Sequence, residues 1–192
     1  RVVTLARREL PACHAKLEQR VVDFGTLETL PDFPRADDVF CCLGTTIKQA
    51  GSREAFRKVD HDYVLGLARA GERAGARQFL LVSALGADPA SRIFYSRVKG
   101  EVEAAVRQLP YQGIQIFRPS LLLGERAEFR LGERIGIALA RVVAPAFVGP
   151  LRRYRPIPAA GVARAMVQIA KEAPRGPNVF EYDGILAAAS GP

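Results

Sequence analysis

Residues 78–106 read QFLLVSALGADPASRIFYSRVKGEVEAAV, and the fold class turns on this stretch. Gln78–Val82 (QFLLV) is so uniformly apolar that the strand it predicts must be covered on both faces. It closes in Ser83, and a helix follows over Arg92–Leu109, ended by Pro110. Gly113–Phe117 (GIQIF) is the next strand, halted by Arg118-Pro119. Working upstream, Ser52–Ala74 reads as one long helix. Its apolar positions Ala55, Val59, Tyr63, Leu67 and Ala70 recur at steps of three or four, and Gly75 is the C-cap. Further strands are expected at Arg1–Ala6, Gln19–Phe24 and Asp38–Leu43. Downstream come a helix at Leu131–Val143, an extended piece at Tyr154–Ile157, a helix at Ala159–Lys171 and a strand at Asn178–Tyr182. Strands covered on both faces and alternating with helices predict an α/β protein, doubly wound around a mostly parallel sheet. Residues 1–125 form its core, and 126–192 a small C-terminal lobe that completes the substrate side.

Composition narrows the function classes. The chain has 192 residues, 48% hydrophobic and 25% charged, which suits a packed domain and excludes a disordered one. Three cysteines cannot form a disulfide framework, and the adjacent Cys41 and Cys42 point to opposite faces of a strand. That argues for a reducing compartment, and a cytoplasmic location is expected. His14 and His61 are too few for a usual zinc cluster, so no metal is expected. The net charge of +8 is scattered arginine with acidic residues between most groups. No basic stripe interleaved with aromatics offers base stacking, so nucleic acid is not an expected partner. The longest apolar run, Ile135–Leu151, contains Arg141 and is broken by Pro145 and Pro150, so no membrane span is expected either.

In a sheet of this kind ligands sit in the crevice at the carboxyl ends of the strands. The residues just past those ends are Arg7/Arg8, Asp23, Gly44-Thr45-Thr46, Ser83 and Arg118-Pro119-Ser120. Beside them, Tyr95 and Lys99 are one helical turn apart and project from one face. An ammonium next to a phenol favours the phenolate, so Lys99 is expected to lower the Tyr95 pKa from about 10. Such a tyrosine exchanges a proton with a carbonyl or hydroxyl oxygen, and the Ser83 hydroxyl is placed to hold that oxygen. Hydride transfer would need a cofactor, since no side chain carries a hydride. Cys41 and Cys42 read as small hydrophobes on a strand, without a CxxC for metal.

Six segments carry a family resemblance: FCCLGTTIKQAG (Phe40–Gly51), FRKVDHDYVL (Phe56–Leu65), VSALGAD (Val82–Asp88), FYSRVKGEVE (Phe94–Glu103), FRPSLLLG (Phe117–Gly124) and RYRPIP (Arg153–Pro158). Together they resemble the atypical short-chain dehydrogenase/reductase family, in its HIV Tat-interacting-protein-type branch, over essentially the whole chain. The resemblance implies a Rossmann-type fold binding NADP(H), with Ser83, Tyr95 and Lys99 as the catalytic set. Ser83 would position the carbonyl, Tyr95 act as acid/base, and Lys99 lower its pKa and bind ribose. Asp60 departs from the asparagine that the wider superfamily commonly has on the neighbouring helix, so a four-residue proton relay is not carried over. Arg7 and Arg8 follow what would be the second strand, where arginine accommodates a 2′-phosphate. Asp23-Phe24 would contact adenine, Cys42-Leu43-Gly44-Thr45 would pass under the ribose, and Arg118-Pro119-Ser120-Leu121 would lie by the nicotinamide.

In the strand order 3-2-1-4-5-6 the first strand is central, and this chain begins at what the resemblance makes the second. The expectation is therefore about 20–30 further residues upstream, forming a strand, a glycine-rich turn and a helix. The leading functional reading is an NADP(H)-dependent oxidoreductase acting on a small carbonyl or hydroxyl compound. A second is an NADP(H)-binding regulatory module with a protein partner and little turnover. A third is epimerase- or dehydratase-like chemistry on a nucleotide sugar.

Overall fold

The computed structural model describes residues 1–123 and 149–191, and the expected helix at Leu131–Val143 lies outside them. The strands are β1 (Val2–Ala6), β2 (Leu17–Val21), β3 (Asp38–Cys41), β4 (Gln78–Val82), β5 (Gly113–Phe117), β6 (Leu122–Leu123), β7 (Ile157–Pro158) and β8 (Gly176–Phe180). The helices are α1 (Ile47–Ala50), α2 (Arg53–Arg57), α3 (Tyr63–Arg73), α4 (Phe94–Val106), α5 (Ala159–Glu172) and α6 (Tyr182–Ala189). All pairings are parallel: β3-β4-β5-β8 form one sheet, β1 pairs with β2, and β6 pairs with β7. The α/β class with a mostly parallel sheet is as the sequence implies. Among the described residues no ladder joins β1 to β3, so each keeps one unpaired edge.

The period-2 alternation of the central strands sorts the core into two layers. Phe79 and Leu81 of β4, with Ile114 and Ile116 of β5, meet Val64, Leu67, Val102 and Val106 from α3 and α4. Leu80 and Phe117 face the other way, onto Val162, Met166 and Ile169 of α5 and Ile185 of α6. This is why QFLLV carries no polar alternation: helices cover both of its faces. Its one polar residue, Gln78, is buried with its amide donating to Asp38 Oδ1 (2.7 Å) and to the Ala170 carbonyl (2.9 Å).

Several local expectations are corrected. The helix read over Ser52–Ala74 is α2 and α3 joined by a π-helical turn at Lys58–Asp62, in which the Tyr63 N–H donates to the Lys58 carbonyl. Its buried stripe is Phe56, Asp60, Val64 and Leu67, one residue on from the expected Ala55, Val59 and Tyr63, which are half-buried. The second strand is Leu17–Val21 rather than Gln19–Phe24, because Asp23 turns the chain: its carboxylate accepts from the Gly25 N–H at 2.8 Å. Tyr154 closes a 3₁₀ turn (Gly149–Tyr154) instead of opening a strand. Two short helices went unread. Of these, α1 is capped by Thr46, whose hydroxyl accepts from the Gln49 N–H (3.1 Å), and is stopped by Gly51 at φ +86°.

Candidate functional site

The helix α4 carries the chemistry, and its seat against the loop after β4 is set by Gly100. A Cβ there would lie 2.2 Å from the Asp88 carbonyl carbon and the Pro89 nitrogen, so only glycine permits this approach. The loop is strapped down by the Asp88 N–H donating to the Ser96 carbonyl (3.0 Å) and by Arg97 Nη1 donating to the Ser91 carbonyl (3.0 Å). Arg57 of α2 pairs with Glu101, tying α4 to the neighbouring helix. Tyr95, half-buried, packs on Phe56 with ring centroids 5.4 Å apart.

Lys99 is buried to 5% exposure, and its Nζ lies 2.8 Å from Oδ1 of Asp60, which is fully buried. The other carboxylate oxygen accepts from the Thr45 N–H at 2.8 Å. Gly44 sits over this pair, its Cβ position 3.4 Å from Asp60 Oδ1 and 3.8 Å from Lys99 Nζ. A lone buried charge of either sign would be prohibitively costly, so each of the two requires the other. The loop after β3, the π-helical turn and α4 thus converge at the carboxyl edge of the sheet. Tyr95 is not lowered as the sequence implied. Burial pushes its pKa up, Lys99 opposes this, and the Asp60 charge adds to the rise. An ammonium beside the phenol is outweighed here by desolvation and by the ammonium's own partner carboxylate.

Ser83 has a different partner from the one expected. Its hydroxyl donates to Glu103 Oε1 at 2.6 Å. Glu103 also accepts from Arg118 through Nε (3.0 Å) and Nη2 (2.6 Å), and from Arg107 (3.1 Å). The guanidinium of Arg118 is therefore committed to the protein, while Pro119 is buried and Leu121 exposed. The carbonyl of Pro119 accepts from the Leu85 N–H (3.0 Å), and the Ser120 hydroxyl donates to the Arg155 carbonyl (2.6 Å).

Arg7 and Arg8 are exposed after β1, without an ion-pair partner among the described residues. Asp23 is exposed, whereas Phe24 is buried with its ring against Tyr63. Phe24 and Gly25 line a cleft of about 440 Å³ with Tyr63, Gly66, Glu54 and Asp62. Cys42 is exposed and Leu43 packs on the core. Cys41 is a core residue whose thiol burial pushes up to about 12. Sequence reasoning noticed Asp60 only as a departure and gave Glu103 no role. A signal existed for Asp60, a carboxylate at the four-residue spacing of Phe56 and Val64 on a buried stripe.

No protein-family model matches the chain. Among curated proteins it is 43% identical to HTATIP2 of Rattus norvegicus over 137 residues, 69% of this chain and 56% of the relative. It is 35% identical to the mitochondrial protein FMP52 of Eremothecium gossypii, over 74% of this chain and 65% of the relative. The chain thus spans less than two thirds of the length of these relatives. Among solved structures it resembles MoeE5 in complex with UDP-glucose and NAD (TM-score 0.65, 14% identity, 95% of this chain and 70% of that one). It also resembles dTDP-4-dehydrorhamnose reductase of Bacillus anthracis in complex with NADP (TM-score 0.60, 14% identity, 86% of this chain and 65% of that one). At such identity these likenesses establish the fold, which is Rossmann-type. The expected cytoplasmic location is overturned, because the FMP52 relatives of four fungi are named mitochondrial. Free cysteines separate reducing from oxidising compartments and do not separate one reducing compartment from another.

Proposed function

We propose that this chain, which is similar to HTATIP2 and the FMP52 proteins, belongs with the atypical short-chain dehydrogenases/reductases and is an oxidoreductase. Its cofactor is a nicotinamide dinucleotide, NADP(H) by preference, and its substrate a small carbonyl compound or the corresponding alcohol. The observation that carries this reading is Lys99, buried one turn from Tyr95 at the carboxyl edge of the sheet and paired with Asp60. A packing role alone gives no reason to bury an ammonium there.

The residues present fit such a cofactor in three places. Gly44 keeps the backbone after β3 close above Lys99, the cleft at Phe24–Gly25 pairs the Phe24 and Tyr63 rings with polar side chains that an adenine could meet, and the exposed Arg7 and Arg8 would take a 2′-phosphate. When bound, the dinucleotide supplies the hydride. Tyr95 donates its hydroxyl proton to the oxygen of a carbonyl under reduction and takes it back in the reverse direction. Lys99 stabilises the phenolate left behind and offers its ammonium to ribose hydroxyls. Asp60 holds that ammonium in place. The mitochondrial names of the FMP52 relatives support that compartment for this protein.

The test is NADPH consumption by the natural full-length protein against a panel of aldehydes and ketones, with Tyr95→Phe alongside. Wild type turns over at least one member, and Tyr95→Phe loses about 100-fold or more in kcat with NADPH binding retained. Failure of the full-length protein to bind NADPH, or equal rates in the two proteins, would contradict the reading.

A further inference from the structure

We propose that Glu103 is a positioning residue, accepting hydrogen bonds from the Ser83 hydroxyl and the Arg118 guanidinium so as to fix the helix that carries Tyr95 and Lys99. Ser83 is then an anchor that meets a substrate only as a hydrogen-bond acceptor. The catalytic part of this rests on the oxidoreductase reading; the structural part does not.

Glu103 is fully buried, one turn beyond Lys99 on α4. Its two oxygens receive four donors: the Ser83 hydroxyl and Arg118 Nε on Oε1, and Arg118 Nη2 and Arg107 Nη2 on Oε2. Those four fill the acceptor sites a carboxylate has. A guanidinium can only donate, so both carboxylate oxygens are acceptors, and Oε1 accepts from the Ser83 hydroxyl as well. The Ser83 hydroxyl has a single proton, and it goes to Glu103. What remains on Ser83 Oγ is lone pairs, so it cannot polarise a substrate carbonyl by donating to it. It can accept from an alcohol or from the Tyr95 hydroxyl.

The same four donors join separate parts of the sheet edge. Ser83 follows β4, Arg107 follows α4, and Arg118 follows β5. Arg118 also reaches Glu181 at 3.9 Å, while its backbone N–H donates to the Phe180 carbonyl at the end of β8 (2.8 Å). Tyr95, Lys99 and Glu103 recur at four-residue spacing along one side of α4. Anchoring Glu103 therefore sets the rotation and depth of the helix at which the other two meet the crevice. Four such hydrogen bonds to one buried carboxylate leave little freedom for its side chain to wander.

The experiment compares Ser83→Ala, Ser83→Thr and Glu103→Gln with wild-type full-length protein, reading thermal midpoint, NADPH dissociation constant, kcat and KM. Glu103→Gln is expected to lower the thermal midpoint and to cut kcat by about tenfold or more, with KM and NADPH affinity nearly unchanged. Ser83→Ala is expected to lower the midpoint and cut kcat by less than about tenfold, and Ser83→Thr, which keeps the hydroxyl, to recover both. Loss of kcat in Ser83→Ala as deep as in Tyr95→Phe, at an unchanged midpoint, would overturn the proposal, because Ser83 would then serve the substrate directly. So would a Glu103→Gln protein with wild-type midpoint and kcat. If wild type itself turns nothing over, the oxidoreductase reading fails, while the midpoints of the three variants still decide the anchor.

Discussion

Asp60 changes how the lysine beside Tyr95 is to be understood. Burial raises the Tyr95 pKa, the ammonium pulls it down, and the Asp60 carboxylate works against that pull. The sign of the linkage follows. A phenol held above its unfolded value contributes stability in full below about pH 10, lost as pH climbs through the folded value. Asp60→Asn keeps the side-chain shape and removes the charge that raises Tyr95, and because it strands the buried Lys99 ammonium it is expected to cost stability as well. Its Tyr95 titration is expected to move to lower pH, read as the phenolate ultraviolet band after subtraction of the Tyr95→Phe curve. An unchanged or higher titration would show that the Asp60 charge does not reach the phenol. At this scale the sequence was legible for Tyr95 and Lys99, whose spacing is a property of any helix. It was not legible for their partners. Asp60 and Glu103 act across the chain on Lys99, Ser83 and Arg118, and local periodicity cannot show a contact made at long sequence separation.

Among the elements, β4, α4 and β5 were the most readable because their residues answer to one demand each. Gln78–Val82 and Gly113–Phe117 are buried on both faces, and Pro110 stops whatever precedes it. The helix before β4 was harder. A charged residue on its inner stripe made Ala55, Val59 and Tyr63 look like the buried face, when Phe56, Asp60 and Val64 are. The π-helical turn that holds Asp60 has no local signature, and such turns are common at functional sites. The placement of α4 yields a prediction of its own. Gly100→Ala puts a methyl into the backbone of Asp88 and Pro89, and it is expected to cost about 1–3 kcal/mol as the helix is pushed off its loop. Denaturant unfolding measures this, and a variant as stable as wild type would mean that the loop yields freely. Its kcat should fall by more than its stability predicts, since Tyr95 and Lys99 move with the helix.

For the whole molecule, the strands form separate parallel ladders among the described residues. Tyr95, Lys99 and Asp60 lie on the helices packed on β3–β4–β5–β8, and the exposed arginines follow β1 of the β1–β2 pair. The alternation of strands and helices was enough to predict the class. The sheet order among the described strands needed the structure, because order is decided by which edges meet in space. The net charge of +8 also takes on a local meaning: most of it is solvated surface, while Arg7 and Arg8 stand at a strand end. The double variant Arg7→Glu/Arg8→Glu is expected to weaken NADPH binding by about tenfold or more and to leave NADH binding nearly unchanged. Equal loss for both dinucleotides, or no loss, would remove the arginines from the 2′-phosphate. The account as a whole stands on hydride reaching a carbonyl that Tyr95 protonates. Its most direct test mixes full-length protein with deuterium-labelled NADPH and the carbonyl panel, and follows the label by mass spectrometry. The account predicts deuterium in the alcohol product with wild type and a rate lower by about 100-fold with Tyr95→Phe. Label that stays in the cofactor across the panel, or that moves equally fast in both proteins, would contradict it.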